Sequence, residues 1–359
     1  MLTRALSALL LACVLLAGGA APLLAQEPPA KLTELSLEEL MAVNVISMNV
    51  LGTHTHLAGQ WMVSYEFMAM SMNGNRDGTT RVSNQTVLNR FQASPTDMTV
   101  QMHMPAVMYA PTNDVTLMVM LPLLRKSMNH ITRDGGAFGE KSSGIGDLSL
   151  TALYTFHATQ EFRHRFLLNA SVSLPTGSIT RAQDNMRLEY PMQLGSGSFE
   201  ISPGVTYLGQ TPNWAVGAEV IPRIRLGEND NGYRLGNQYR LNTWAARRLS
   251  DMLSASAKIE GDVLQGIHGA DPALDPEDEP TKDVNIQGGK RVSLSIGLNL
   301  FAPNGPLEGH RLSVEATRPV YESLDGPQLE TDWQLRIGWQ WIFRGYQSTA
   351  KATGSGGLR

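Results

Sequence analysis

The chain has little cysteine, little charge and almost no long hydrophobic run. Its one cysteine, Cys13, lies inside the leading apolar segment. If that segment is removed, the mature chain can form no internal disulfide and offers no thiolate as nucleophile or zinc ligand. After Leu16 no stretch approaches the ~18 consecutive apolar residues of a membrane-crossing helix. Charged residues make up 17% of the sequence with a net charge of −4, which gives no reason to expect nucleic acid.

The leading segment itself is informative. Arg4 supplies a small positive region, Ala5 to Leu16 is nearly all apolar, and Leu23-Leu24-Ala25 precedes Gln26. This is the pattern of a secretory signal peptide over residues 1–25. A lipoprotein signal at Cys13 is the alternative, but the apolar run continues past the point where a lipobox would end it. Residues 26–58 are expected to be a periplasmic segment, with Ser36-Leu37-Glu38-Glu39 as the capping box of a short helix. Residues 344–359, rich in Gly, Ser and Ala, are expected to be a disordered tail.

From Gly59 to Phe343 one unit recurs: ten to fourteen residues of alternating polarity, then a turn. In the last unit Trp333, Leu335, Ile337, Trp339, Trp341 and Phe343 fall on one face, with Asp332, Gln334, Arg336, Gly338 and Gln340 on the other. Side chains alternate across a strand, so each unit has one apolar and one polar face. Short turns at 111–113, 159–161, 210–212, 249–251 and 303–306 alternate with long polar connections near 73–97, 127–143, 175–197, 227–236, 263–289 and 322–327. A soluble sandwich also alternates, but strict short/long alternation is the mark of a membrane barrel with periplasmic turns and extracellular loops. Residues 59–343 are therefore expected to form an all-β, about twelve-stranded antiparallel transmembrane barrel in a bacterial outer membrane. Its expected surroundings are outer-membrane lipid and lipopolysaccharide. The sequence does not indicate an oligomeric state.

Several motifs look familiar once the strands are placed. Gly144-Ile145-Gly146-Asp147-Leu148, Ser173-Leu174-Pro175-Thr176-Gly177-Ser178 and Ser202-Pro203-Gly204-Val205-Thr206-Tyr207 resemble the Putative MetA-pathway of phenol degradation family. The resemblance covers most of residues 59–343 and implies an outer-membrane barrel of the kind commonly labelled a transporter; its motifs are structural and name no substrate. Leu32 to Met41 is similar to the segment preceding the plug of TonB-dependent receptors, but the remaining chain is far too short for a plug and their larger barrel.

The polar faces put Glu66, Glu200, Glu219, Arg223, Arg225, Arg240, Arg248, Lys258, Glu260, Glu315 and Arg336 inside. Buried charges must be paired or hydrated, so a wet lumen crossed by ion pairs is implied, with some of these residues open to an anionic solute. Methionine is the compositional oddity: thirteen of seventeen lie between Met41 and Met128. Met62, Met68, Met70 and Met72 share the inward face of the first strand, and Met118 and Met120 that of the third. In the second strand Met98, Met102, Met104 and Met108 oppose His103, and the pattern leaves open which set points inward. Thioethers with His54, His56, His103 and His130 nearby suit a soft ion such as Cu(I); an adaptable apolar lining is the plainer reading. His310 and Ser313 lack the rest of a barrel phospholipase site, so no enzyme is expected. Asn75-Arg76-Asp77-Gly78 and Asn229-Asp230-Asn231-Gly232 read as turns before calcium loops, and the acidic run Asp271 to Asp283 as a solvated loop. The leading function is a channel for small, hydrophobic or aromatic solutes with no resident cofactor. The alternative is a Met-rich barrel handling copper, with Met62, Met68, Met70, Met118 and Met120 as ligands.

Overall fold

The computed structural model describes residues 53–159 and 163–344. The signal peptide, the 31–48 helix and nearly all of the tail expected from the sequence lie outside the described residues. The strands that build the wall are β1 (Gln60–Gly78), β2 (Ala93–Tyr109), β3 (Val115–Met120), β4 (Leu123–Thr132), β5 (Ala137–Ile145), β6 (Leu148–Ala158) and β7 (His164–Leu174). They continue with β8 (Phe199–Gln210), β9 (Trp214–Leu226), β10 (Gln238–Arg248), β11 (Leu253–Leu264), β12 (Gly289–Phe301) and β13 (His310–Arg344).

Every pairing is antiparallel, and β1 pairs with both β13 and β2, which closes a ring of eleven strands. The last of these is two arms rather than one. A 35-residue strand would run roughly 115 Å at ~3.3 Å per residue, several times a bilayer's hydrocarbon core. Instead residues 311–324 pair with β12 and residues 324–344 with β1. Ser313 Oγ donates to the carbonyl of Gly338 and Ile342 N to that of Gly309, so the segment doubles back near Asp325-Gly326. Counted by arms, the wall has twelve crossings.

Two crossings are interrupted side by side. Pro122 has no N–H to give the ladder, and β3 hands over to β4 there; opposite it, β5 ends and β6 begins across Gly146-Asp147, with Gly146 N donating to Pro122 O at 2.8 Å. Beyond this break β4 and β5 extend as a hairpin turning at 133–136. The long polar connection expected at 127–143 is thus corrected to strand and turn. Alternation persists there, with Met128 and His130 buried opposite Glu140 and Phe138. It is obscured in the sequence because both faces carry polar residues.

Alternation elsewhere separates the two faces. Trp61, Tyr65, Leu150, Phe166, Val220, Leu294, Ile296, Val314, Trp333 and Trp341 are exposed on the outside of the wall, as lipid-facing residues must be. Their in-strand neighbours Ser64, Glu66, Thr206, Glu219, Ser295, Ser313, Glu315 and Gln340 are buried. A core of charged residues beneath an apolar exterior inverts the soluble pattern, and with the closed ring it makes the chain an outer-membrane barrel. Among the described residues no helix is long and apolar enough to cross a membrane; strands do the crossing.

The long connections are not plain loops. Residues 175–198 fold back on the barrel through a two-residue hairpin at Ala182–Gln183 and Met186–Arg187 and a turn of 3-10 helix at Tyr190–Met192. Tyr190 and Tyr233 rings meet edge to face at 4.9 Å and pack with Leu274. Val87, Phe91 and Ile286 form a second small core. The extracellular end therefore carries a cap with its own packing. The acidic run departs from the expected solvated loop accordingly: Asp271 is buried against Arg187 at 2.6 Å and Glu279 is buried beside Lys282, while Asp275 and Glu277 stay exposed.

Candidate functional site: a two-sided barrel interior

The methionines line one side of the interior. The register of β1 on β2 sets Met62 opposite Met108, Met68 opposite Met102 and Met72 opposite Met98. This resolves the second strand: Met98, Met104 and Met108 are buried, while His103 points outward, its Nδ1 2.5 Å from the Tyr65 hydroxyl. Two clusters result. Met68, Met98, Met104 and Met128 pack with Val100 and Leu329 and are covered by Leu188 and Met192 of the folded-in 175–198 connection. Met70, Met72, Met102 and Met120 border this cluster half-buried. Met62 and Met108 form the second with Leu153 and Met118, nearer the short turns. The five candidate ligands thus divide between sites: Met68, Met70 and Met120 belong to the first cluster, Met62 and Met118 to the second. His54 approaches the second, at 3.4 Å from the sulfur of Met62.

Most of the charges lie on the opposite side, nearly all of them partnered; the Glu66–Arg336 pair instead sits among the methionines, with Glu66 in register with Met104 and Arg336 with Met68. Lys258 Nζ lies 2.7 Å from Glu315 Oε1, and Arg336 Nε 3.7 Å from Glu66 Oε1. Glu200 is held by Arg225 at 2.6 Å and Arg223 at 3.5 Å. Arg240 sits between Asp262 at 3.5 Å and Glu260 at 3.8 Å. Among the described residues no cation pairs with Glu219; Thr206, Asn169, Asn242 and Thr53 donate to its carboxylate instead. Arg248, on the same strand face as buried Trp244 and Ala246, pairs with Asp251 at the short turn beside it. Such pairs brace strand to strand, and they leave few unmatched charges to meet a solute.

Residues 53–58 enter the interior from the short-turn end. His56 N donates to Thr116 Oγ1 at 3.1 Å, Arg165 reaches Thr55 Oγ1 at 3.3 Å, and Thr55 and His56 are buried. The chain ahead of β1 therefore narrows the periplasmic mouth.

Sequence reasoning missed Trp244, which is buried on the inner face over Gly217, where a β-carbon would strike its ring. Neighbouring small residues on β9 and β10 are the signal that room for it exists. It also left the glycine and proline motifs without a purpose. In the structure the motifs at 144–148 and 173–178 form one latch at the break in the wall. Thr176 Oγ1 donates to Gly146 O at 2.8 Å and accepts from Leu148 N at 2.9 Å. Asp147 accepts from Gly177 N, Ser196 N and Ser196 Oγ at 2.7–2.9 Å. Gly177 and Gly195 pass so closely that a β-carbon on either would meet the other's backbone. The latch holds both ends of the folded-in connection, and so sets where Leu188 and Met192 sit over the methionine wall.

Residues 74–314, about two thirds of the chain, match the family model described as Putative MetA-pathway of phenol degradation. The chain belongs to that family. No curated protein matches it. Among solved structures it is similar to an outer membrane channel from Pseudomonas putida F1, with 14% identity and a TM-score of 0.61 over 81% of this chain and 98% of that one. A further match is the KdgM porin, with 10% identity and a TM-score of 0.39 over 79% of this chain and 99% of that one. At 14% identity the likeness to the Pseudomonas putida channel is one of fold, and the closed barrel fixes the location as the bacterial outer membrane.

Proposed function

We propose that this family member is a channel for small hydrophobic or aromatic solutes, with the half-buried methionines as its sliding surface. The observation that carries the reading is the division of the interior. One side carries two thioether clusters, with the Glu66–Arg336 pair set among them, while most charges on the opposite side are held by one another or by hydrogen bonds. Methionine is unbranched and polarizable, so it adapts to varied apolar shapes and makes favourable sulfur–aromatic contacts of ~0.3–1.5 kcal/mol each. Lining that conforms without holding tightly is what passage needs. The reading contains no catalytic step. The similar protein from Pseudomonas putida F1 is an outer membrane channel, which agrees with this reading.

The test is electrical. The purified barrel in planar bilayers should carry a small ion current that toluene reduces in a dose-dependent way. Met70→Glu with Met120→Glu should keep the current and lose the block. Block unaffected by the two glutamates would refute the methionine surface as the solute's path.

His54 beside Met62, with Met108 and Met118 in the same cluster, favours a second reading in which that cluster binds Cu(I). Soft thioethers should then take Cu(I) and ignore Zn(II). Replacing Met62, Met68, Met70, Met118 and Met120 by leucine keeps volume at a usual cost below ~1.5 kcal/mol per site. Competition with a Cu(I) chelator on wild type and the five-leucine variant decides: equal affinities remove copper and leave the methionines as lining.

A further inference from the structure

Under the extracellular cap four ionisable side chains meet that neither proposed function uses. His130 comes from β4 and Glu140 from β5, close together on the inner face of the same hairpin. Glu189 comes from the folded-in 175–198 connection and Glu279 from the acidic connection after β11. One nitrogen of His130 and one oxygen each of Glu140 and Glu189 lie within 4.8 Å of one another. His130 Nε2 is also 3.2 Å from Glu279 Oε2 and 3.9 Å from Glu189 Oε1.

The group is buried and unsatisfied. The side chains of His130 and Glu189 have 0% exposure. Both carboxylate oxygens of Glu189, Oε2 of Glu140 and both ring nitrogens of His130 lack a properly aligned hydrogen-bond partner. Neither nearby lysine forms an ion pair with Glu189 among the described residues. Lys126 is spent on the carbonyls of Pro191 and Gln193 at 2.8 and 2.5 Å, and Lys282 on Asp278 and Glu279. A buried carboxylate without donors costs several kcal/mol, so such a cluster calls for a compensating positive charge.

We propose that His130, Glu140 and Glu189, with Glu279 beside them, are the ligands of a divalent transition-metal ion of the zinc type. One imidazole with two or three carboxylates suits a borderline ion: Zn(II) takes both donors at about 2.0–2.2 Å, whereas Ca(II) prefers an all-oxygen shell. A closing of roughly an ångström would bring the three grouped atoms to such bond lengths. The ring stacks on Phe138 at 4.7 Å and 9°, which fixes its plane and leaves its nitrogens free to point at the carboxylates. The ion joins three separate stretches of chain: the β4–β5 hairpin, the connection that covers the methionine wall and the acidic connection of the cap. It clips the folded-in segment in place from above while the Asp147 latch holds it at the wall. It is a hard-donor site, distinct from the thioether clusters, and does not rest on the channel reading.

The test uses the whole barrel purified in detergent, stripped with EDTA and titrated with Zn(II). Wild type should bind one equivalent saturably, and the five-leucine methionine variant should keep it. Glu189→Gln and His130→Ala should keep a heat-modifiable barrel on a gel and each weaken binding at least tenfold. Added Zn(II) should also slow proteolysis within 175–198 in wild type and leave it unchanged in both variants. No saturable binding to wild type, or equal affinity in wild type and both variants, would overturn the proposal. So would a site that prefers Ca(II) and ignores His130→Ala.

Discussion

The Lys258–Glu315 pair offers a quantitative test of how dry the charged side of the interior is. The two side chains are 5% and 3% exposed, and Nζ and Oε1 stand 2.7 Å apart. At an effective dielectric of about 20, unit charges at that distance attract by about 6 kcal/mol, against a desolvation cost of several kcal/mol for each ion. The net value of the intact pair is therefore small. Lys258→Met removes the attraction but leaves Glu315 buried, with the donor-less carboxylate of Glu66 in its field. The expected loss is about 3–5 kcal/mol. Lys258→Met with Glu315→Leu removes both charges and should return to within about 1 kcal/mol of wild type. Reversible urea unfolding of the barrel in lipid vesicles, followed by tryptophan fluorescence, measures all four corners of the cycle. Single losses below about 1 kcal/mol that simply add would refute the reasoning, because they are the signature of water-separated charges.

Three further outcomes are expected. Glu200→Gln leaves Arg225 and Arg223 without their shared carboxylate, so the reversal potential in a salt gradient should move toward anion selectivity; an unchanged potential would mean that the arginines do not face the ion path. Gly217→Val sets a side chain where the Trp244 ring lies; overpacking of this kind costs about 1–3 kcal/mol, readable in the same urea assay, and no loss would contradict the close packing. Asp184 and Asn185 turn the 182–187 hairpin with φ of 51° and 66°. Asn185→Val should therefore cost about 1–2 kcal/mol locally and speed proteolysis within 175–198, whereas Asn185→Gly should not; equal cleavage in both variants would refute the left-handed turn.

The fold was legible because a closed barrel repeats a simple rule. Every crossing must be apolar outside and bonded to two neighbours, so period-two alternation in β12 or the last arm of β13 could be read without tertiary knowledge. The arms and the outer-membrane location follow from that rule; the family rested instead on the motifs at 144–148, 173–178 and 202–207. What stayed hidden lies where the rule stops applying. The β4–β5 hairpin rises into the cap, where neither face is purely apolar, and its alternation of Lys126, Met128 and His130 looks like a polar loop. The burial of Asp271 and Glu279 depends on Arg187 and His130, which are distant in sequence, so their local run carries little sign of it. The purpose of Asp147 and Thr176 likewise appears only when the interrupted strands bring residues 146, 177 and 195 together. Met98 and Met104 were ambiguous for a different reason: both faces of β2 mix polar and apolar residues, and only pairing with β1 fixes the register.

The central claim, that small apolar solutes cross by the methionine side of this barrel, is met most directly by solute entry into intact cells. A bacterial host without aromatic-hydrocarbon channels of its own would express wild type, the Met70→Glu/Met120→Glu variant or an empty vector. Initial rates of labelled toluene and of a labelled hydrophilic sugar would then be compared at matched levels of heat-modifiable barrel. The account predicts faster toluene entry with wild type alone, and sugar entry at the empty-vector rate in all three strains. Toluene entry equal in wild type and empty vector, with faster entry of the sugar, would contradict it and make the barrel a hydrophilic pore.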